Sequence, residues 1–209
     1  MRIDRLERSR HVRGRILAYL EDGSCLKLTE QELLDFGLRP GDELDDAALE
    51  QLRSSAASSR VRAQAAALIG RRAMSRADLE KKLREKGASA EECRYAAEWL
   101  EAIGALNDRE YAALLVRHCA DLGYGPARWR DELRRHGIPR ELWEDVLAQA
   151  PDHAAQIDRF LKAKLRSLPP DETEKRRLSA ALARRGFSWG EVKDAWSRLG
   201  DAADDMPSP

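Results

Sequence analysis

Three stretches of similar sequence, LEKKLREKG (79–87), WRDELRRHG (129–137) and LSAALARRG (178–186), decide the fold of this chain. Their final glycines lie 50 and 49 residues apart. Each glycine follows a large apolar residue by eight positions and a leucine by four; the pairs are Leu79 and Leu83, Trp129 and Leu133, and Leu178 and Leu182. Because residues four apart lie on one face of an α-helix, each stretch predicts a helix with the same buried stripe, ended by a glycine.

The residues after each glycine predict another helix. Ser89 with Glu92, and Ser188 with Glu191, fit the capping box, in which each side chain accepts a hydrogen bond from the other residue's backbone amide. Pro139 starts the helix after the second glycine, because its φ is already helical. Apolar residues then recur at the spacing of one helix face: Cys93, Ala96, Ala97 and Leu100; Trp143, Val146, Leu147 and Ala150; Val192, Ala195, Trp196 and Leu199.

A further helix is predicted ahead of each glycine-ended helix, over residues 61–72, 108–122 and 152–168. Three helices therefore form one unit, and the unit occurs three times. A period of about 50 residues is typical of tandem helical arrays, in which each unit buries part of its surface on its neighbour. We predict a mainly α fold in which three tandem three-helix repeats form an elongated, curved array.

The N-terminal segment predicts a small α+β lobe. Apolar residues alternate through residues 15–28 on both sides of Asp22-Gly23, which is a strong signal for a β-hairpin. Thr29 and Glu32 then fit a capping box that opens a short helix.

A second helix of this lobe is predicted to start at Asp45 or Asp46 and to carry Leu49 and Leu52. The small polar run 54–59 indicates a joint between the lobe and the repeats. The predicted division is a lobe over 1–55, repeats over 60–106, 107–151 and 152–199, and a disordered acidic tail over 200–209.

The formal net charge of zero hides an asymmetry. Residues 1–20 carry six basic and two acidic residues, and residues 21–52 carry two basic and ten acidic residues. Residues 53–199 carry 29 basic and 22 acidic residues, a net charge of +7, and the tail adds three acids. A basic helical body beside an acidic lobe is compatible with binding near phosphates.

The sequence lacks the motifs of an enzyme or a metal site. Cys25, Cys93 and Cys119 form no CxxC pair and are predicted to be small apolar residues at partly buried positions. The four histidines are scattered, and no HExxH motif or phosphate-binding loop is present. No apolar run approaches the ~20 residues of a membrane helix, and the N-terminus does not resemble a signal peptide. We expect a cytoplasmic protein without a cofactor, a metal or catalytic activity.

Positive charge is concentrated on the glycine-ended helices. Cations in the last turn of a helix interact with its macrodipole for roughly 0.3–1 kcal/mol, which explains them as well as binding does. Cations near a helix start are unfavourable, so Arg128, Arg130 and the run 175–177 favour a binding role. The candidate contact residues are Arg71, Arg72, Arg128, Arg130, Arg134, Arg135, Lys175, Arg176, Arg177, Arg184 and Arg185.

The five tryptophans divide into two groups. Four of them fall at or beside apolar helix positions and are predicted to be core residues: Trp99, Trp129, Trp143 and Trp196. Trp189 lies in the first turn after a helix cap and is predicted to be exposed.

An ordered series of motifs resembles one family of proteins. The stretch LNDREYAALLVRHCADLGYGPARWRDELRRHGIPRELWEDVL (106–147) resembles the central motif of the RecX proteins. SRADLEKKLREKGASAEECRYAAEWLEAIGAL (75–106) resembles their first repeat, and ALARRGFSWGEVKDAWSRL (181–199) resembles their last, where Arg-Gly-Phe-Ser is typical. The resemblance covers roughly residues 60–199. Asn107-Asp108 departs from the two acids that the family often has there, although asparagine also caps a helix.

The resemblance implies a binding role in homologous recombination, DNA repair and the SOS response. RecX-like proteins lie in the groove of the RecA filament on single-stranded DNA and inhibit its ATPase, strand-exchange and co-protease activities. On this basis we predict that the candidate cations contact RecA, with single-stranded DNA as a secondary contact, and that the chain is a monomer. The alternative is an independent helical DNA-binding module, for which the charge of +7 over residues 53–199 is modest.

Overall fold

The computed structural model describes residues 1–166 and 170–204, which form ten α-helices and a three-stranded sheet. The elements are β1 (Ile3–Arg8), β2 (Arg15–Leu20), β3 (Cys25–Thr29), α1 (Glu30–Asp35), α2 (Asp46–Ile69), α3 (Arg76–Glu85), α4 (Ala90–Ala102), α5 (Asp108–Asp121), α6 (Pro126–Arg135), α7 (Trp143–Ala148), α8 (His153–Lys164), α9 (Glu172–Arg184) and α10 (Trp189–Asp204). The mainly α fold with a small N-terminal sheet is therefore confirmed. The chain forms two compact units, one of residues 1–73 with 79–106, and one of residues 74–78 with the chain from 107 onwards.

The sheet of the first unit contains the predicted hairpin and one strand more. β2 pairs antiparallel with β3, with Ile16 opposite Leu28, and Gly23 takes a positive φ of 80° in the turn. β1 pairs antiparallel with the other edge of β2. β1 was not predicted, because its residues, IDRLER, are mostly charged and only Ile3 is buried. The core beneath the sheet consists of Ile3, Ile16, Ala18, Leu20, Leu28, Leu38, Leu49 and Leu52.

The capping box at the start of α1 is confirmed and holds a buried carboxylate. Glu32 accepts hydrogen bonds from the Thr29 backbone amide at 2.7 Å and from the Ser55 hydroxyl at 2.9 Å. Burial by itself would raise the pKa of Glu32, but the hydrogen bonds from Thr29, Ser55 and Ser59 outweigh it and lower that pKa below its ordinary value. This carboxylate therefore ties α1 to α2.

Replacing Glu32 with glutamine is expected to destabilise the first unit by about 1–2 kcal/mol at pH 7, because a charge-assisted acceptor is lost from a buried network. A carboxyl group whose pKa is lower in the folded protein than in the unfolded chain stabilises the fold at pH values above the unfolded pKa. That contribution is lost as the pH falls through the folded pKa. Amide hydrogen exchange in β2 and β3 should therefore be faster in the Glu32→Gln variant than in the unchanged protein at pH 7. The difference in exchange rate should become smaller at acidic pH. Glu30→Gln, at an exposed position of α1, is the control. A pH-independent difference would contradict this account.

The predicted joint at residues 54–59 is wrong, because these residues lie inside the helix α2. This helix starts at the Asp45 cap and runs without interruption to Ile69, through the serine and alanine run 54–59. No proline or glycine interrupts these residues, and small side chains suit a helix that packs against both β3 and α4. The helix predicted over residues 61–72 is therefore the second half of α2, and it ends three residues earlier than predicted.

The glycine-ended helices have the predicted buried stripe. Leu83, Leu133 and Leu182 are fully buried, and Leu79, Trp129 and Leu178 are at most 2% exposed. The three glycines take positive φ values: Gly87 (87°), Gly137 (64°) and Gly186 (92°). These helices end where predicted because the left-handed conformation costs glycine little.

The C-terminal part departs from the predicted boundaries. α8 ends at Lys164, and the predicted end at Leu168 lies outside the described residues. α10 extends to Asp204, so residues 200–204 of the predicted disordered tail are helical. Residues 205–209 lie outside the described residues.

Two of the glycine turns pack against the start of another helix within the second unit. At the first, the Ser75 hydroxyl donates to the His136 carbonyl at 2.5 Å, and a Cβ on Gly137 would meet Ala77 at 2.5 Å. At the second, the backbone amides of Gly125 and Ala127 donate to the carbonyls of Arg185 and Gly186 at 2.8 and 3.0 Å. A Cβ on Gly186 would meet the Arg128 backbone nitrogen at 2.7 Å. Each glycine therefore permits a close approach between helices.

Candidate functional site

Four candidate cations lie on α6 with exposed side chains: Arg128, Arg130, Arg134 and Arg135. Arg130 and Arg134 are four residues apart and lie in one row along the helix, whereas Arg128 and Arg135, seven apart, lie in another. The buried face of α6 separates the two rows on one side of the helix, and an exposed face separates them on the other side. The four residues therefore form two separate rows of positive charge.

Several candidates are paired with acids of their own helix. Arg134 pairs with Asp131 at 2.8 Å, and Arg135 pairs with Glu132. On α9 the pairs are Lys175 with Glu172 at 3.1 Å and Arg177 with Glu174 at 3.3 Å. The pairs of Arg134 and Lys175 are exposed on both sides, and exposed pairs contribute about 0–1 kcal/mol, so a partner can separate them at small cost. The Glu174 carboxylate is buried, so the Arg177 pair is not of this kind.

Arg185 is engaged within the fold. Its guanidinium lies 4.8 Å from the centre of the Phe160 ring and donates to the Gly123 carbonyl at 3.3 Å. Its backbone carbonyl accepts a hydrogen bond from the Gly125 backbone amide. The structure thus gives Arg185 a packing role next to the start of α6.

The other candidates are exposed cations without an acidic partner in residues 1–166 and 170–200. Arg128, Arg130, Arg176 and Arg184 lie in the second unit, and the Arg128 guanidinium lies 6.0 Å from the centre of the Tyr124 ring. Arg71 and Arg72 lie in the first unit, directly after α2. Unpaired exposed cations are the groups most available to an anionic partner.

The tryptophans and the cysteines agree with prediction only in part. Three of the four tryptophans predicted to be core residues are half-buried: Trp99, Trp143 and Trp196. Trp129 is 2% exposed, whereas Trp189 is 73% exposed. Cys93 and Cys119 are buried, and burial raises the pKa of both thiols. Cys25 is exposed on β3, so its predicted partial burial is wrong. Within the described residues, no three His, Cys, Asp or Glu side chains are placed to hold a metal ion.

Lys193 was not among the predicted contact residues. This lysine lies one turn after Trp189 and one turn before Trp196 on α10, so the three side chains share one helix face. The spacing of four and three residues was a signal for such a face, but the prediction of an exposed Trp189 did not use it. As to membranes, no helix of the described chain combines the length and the hydropathy that crossing a bilayer requires.

Comparisons of the sequence find one family. A sequence model of the second three-helix domain of RecX matches residues 107–147, and one of the third matches residues 152–196. The regulatory protein RecX of Pseudomonas entomophila (strain L48) is 33% identical over 130 residues, which span 61% of this chain and 84% of that protein. The regulatory protein RecX of Trichlorobacter lovleyi is 35% identical over 118 residues, spanning 53% and 77%.

Solved structures share the fold. A crystal structure of a regulatory protein RecX superposes with a TM-score of 0.73 at 24% identity, over 92% of this chain and 98% of that one. The crystal structure of RecX from Lactobacillus salivarius gives a TM-score of 0.61 at 18% identity, over 70% and 97%.

Proposed function

The chain belongs to the RecX family, and on that premise we propose that it binds the RecA–single-stranded DNA filament and inhibits the recombinase, ATPase and co-protease activities of RecA. In this proposal it is a regulatory protein without catalysis of its own, and it acts as a cytoplasmic monomer. Its proposed division is a lobe over 1–55 and helical repeats over 60–106, 107–151 and 152–199, with α2 continuous from the lobe into the first repeat. Single-stranded DNA is a secondary contact.

The observation that best supports this function is that two exposed cations near the start of α6 lack an acidic partner. Arg128 lies in the first turn of α6, where positive charge is unfavourable for the helix itself, and Arg130 follows in the second turn. Neither has an acidic partner in residues 1–166 and 170–200. A contact with acidic groups of RecA, or with DNA phosphate, would offset that cost. Arg134 and Arg135 extend the two rows, since a partner can compete for their exposed ion pairs.

Replacing Arg128, Arg130, Arg134 and Arg135 together with alanine is expected to weaken inhibition of the RecA ATPase at least tenfold, or about 1.4 kcal/mol. The four residues are exposed, so the variant should keep its helical circular dichroism. The matched control removes four cations elsewhere, in Arg53→Ala, Arg60→Ala, Lys81→Ala and Arg94→Ala, and should inhibit normally. Two double variants, one for each row, identify the row that carries the contact. Unchanged inhibition by the folded fourfold variant would reject this surface.

Binding measurements test the alternative, an independent DNA-binding module. A DNA-binding module should bind naked single strands with an affinity that falls steeply as salt rises, because bound phosphates release counterions. A filament regulator should co-sediment far better when RecA is present on the DNA. Equal binding with and without RecA would favour the module.

A further inference from the structure

A groove between α9 and α10 is not used by the α6 surface. Its volume is about 630 Å³. The apolar part of its lining is formed by Ala180, Ala183, Trp189, Trp196 and Leu199. Charged residues also line it, namely Glu172, Lys175, Arg176 and Lys193. The groove therefore combines an apolar surface with an excess of positive charge.

The two tryptophans of the groove differ: the Trp196 ring is held by a hydrogen bond, and the Trp189 ring is exposed. The Trp196 indole nitrogen donates to the Ser179 hydroxyl at 2.9 Å, which orients one ring across the space between the helices. Trp189 is 73% exposed, although Ser188 and Glu191 hold its backbone in the first turn of α10. A large ring kept in water on an ordered helix is typical of a residue that becomes buried on binding.

The charges of the groove are not balanced within the chain. Lys175 pairs with Glu172 at 3.1 Å. Arg176 and Lys193 are both exposed and have no acidic partner in residues 1–166 and 170–200. Two positive charges are therefore available beside the apolar lining, and they are complementary to carboxylates of a partner.

We propose that this groove binds a helical segment of RecA with apolar side chains on one face and acidic side chains flanking them. The inference rests on the proposed function and assigns a second contact, separate from α6. A helix laid in a groove buries apolar side chains every three or four residues, which suits a lining of alanine, leucine and indole surface. Single-stranded DNA would instead favour several exposed rings in line, and in the lining of this groove only Trp189 is so exposed.

Photocrosslinking of the full chain on purified filaments tests the occupant. Trp189→p-benzoylphenylalanine places an aromatic photoreactive group in the groove, and the same residue at Leu114, 53% exposed on α5, is the control. After irradiation with RecA and single-stranded DNA, mass spectrometry should find adducts from position 189 on a helical RecA segment that carries acidic residues. Position 114 should not label that segment.

The charges are tested in the same complex. Arg176→Glu with Lys193→Glu is expected to lower the yield of the position 189 adduct at least tenfold, whereas Arg53→Glu with Lys81→Glu should leave it unchanged. An adduct on DNA, an adduct on a RecA segment without acidic residues, or no adduct from a chain that still pellets with the filament would overturn the groove assignment alone. A chain that does not pellet with the filament would refute both this assignment and the proposed function.

Discussion

Trp129→Ala is expected to lower the free energy of unfolding of the second unit by about 3–5 kcal/mol, a far larger loss than any exposed substitution should cause. The Trp129 ring is 2% exposed and lies edge-on to the His153 ring, with 6.0 Å between their centres. Its indole nitrogen donates to the Tyr124 carbonyl at 2.7 Å. Alanine would leave a cavity in the core and deprive that carbonyl of its side-chain donor.

Urea unfolding followed by far-ultraviolet circular dichroism, with hydrogen exchange in α6, measures this loss. The control is Trp189→Ala, which removes the same side chain from a site that is 73% exposed and should change stability by less than about 0.5 kcal/mol. Similar losses in the two variants would show that Trp129 does not hold the core as described.

Gly186→Ala is expected to destabilise the second unit by about 2–4 kcal/mol. A non-glycine residue with φ near +92° costs about 1–3 kcal/mol by itself. The added Cβ would also lie 2.7 Å from the Arg128 backbone nitrogen, so the start of α6 would have to move. That movement strains the hydrogen bond from the Ala127 amide to the Gly186 carbonyl.

Gly87→Ala separates these two causes. Gly87 has a similar φ of 87°, but a Cβ there meets nothing within 4 Å. Its replacement should therefore show the conformational cost alone, in the first unit. Urea unfolding should give a loss at least 1 kcal/mol larger for Gly186→Ala, and equal losses would mean that the close approach to α6 contributes nothing.

Features that depend on neighbouring residues were predictable from the sequence. The leucines four positions before each glycine are fully buried because helical period and hydrophobicity are local properties. The hairpin around Asp22-Gly23 and the capping box at Thr29 follow from turn and cap chemistry within a few residues. These signals predicted the fold class.

Features that depend on distant residues were missed. β1 has too few apolar residues to signal a strand and forms because the open edge of β2 takes up its backbone hydrogen bonds. The serines of the run 54–59 suggested a joint, but Ser55 donates to the buried Glu32 carboxylate, 23 residues away in sequence. Tertiary contacts thus override weak local preferences.

The candidate site divides in the same way. The sequence predicted which residues carry positive charge, and it placed Arg128 and Arg130 near a helix start. It did not predict that Arg185 would lie over Phe160, or that α9 and α10 would form a groove with Lys193 beside Trp189. Those arrangements depend on how whole helices pack, which the composition of one helix does not determine.

The sequence by itself determined the number, period and buried faces of the repeated helices, because these follow from spacing along one chain segment. Only the tertiary structure decided how the segments meet. α9 begins with the Asp171 side chain as its cap, whereas α6 begins at Gly125 without a side-chain cap. The Arg185 carbonyl accepts the Gly125 amide instead, so a backbone group 60 residues away in sequence takes the place of a cap. A hydrogen bond between distant backbone groups does not depend on the pattern of side chains. The sequence therefore does not predict it, and only the folded chain shows it.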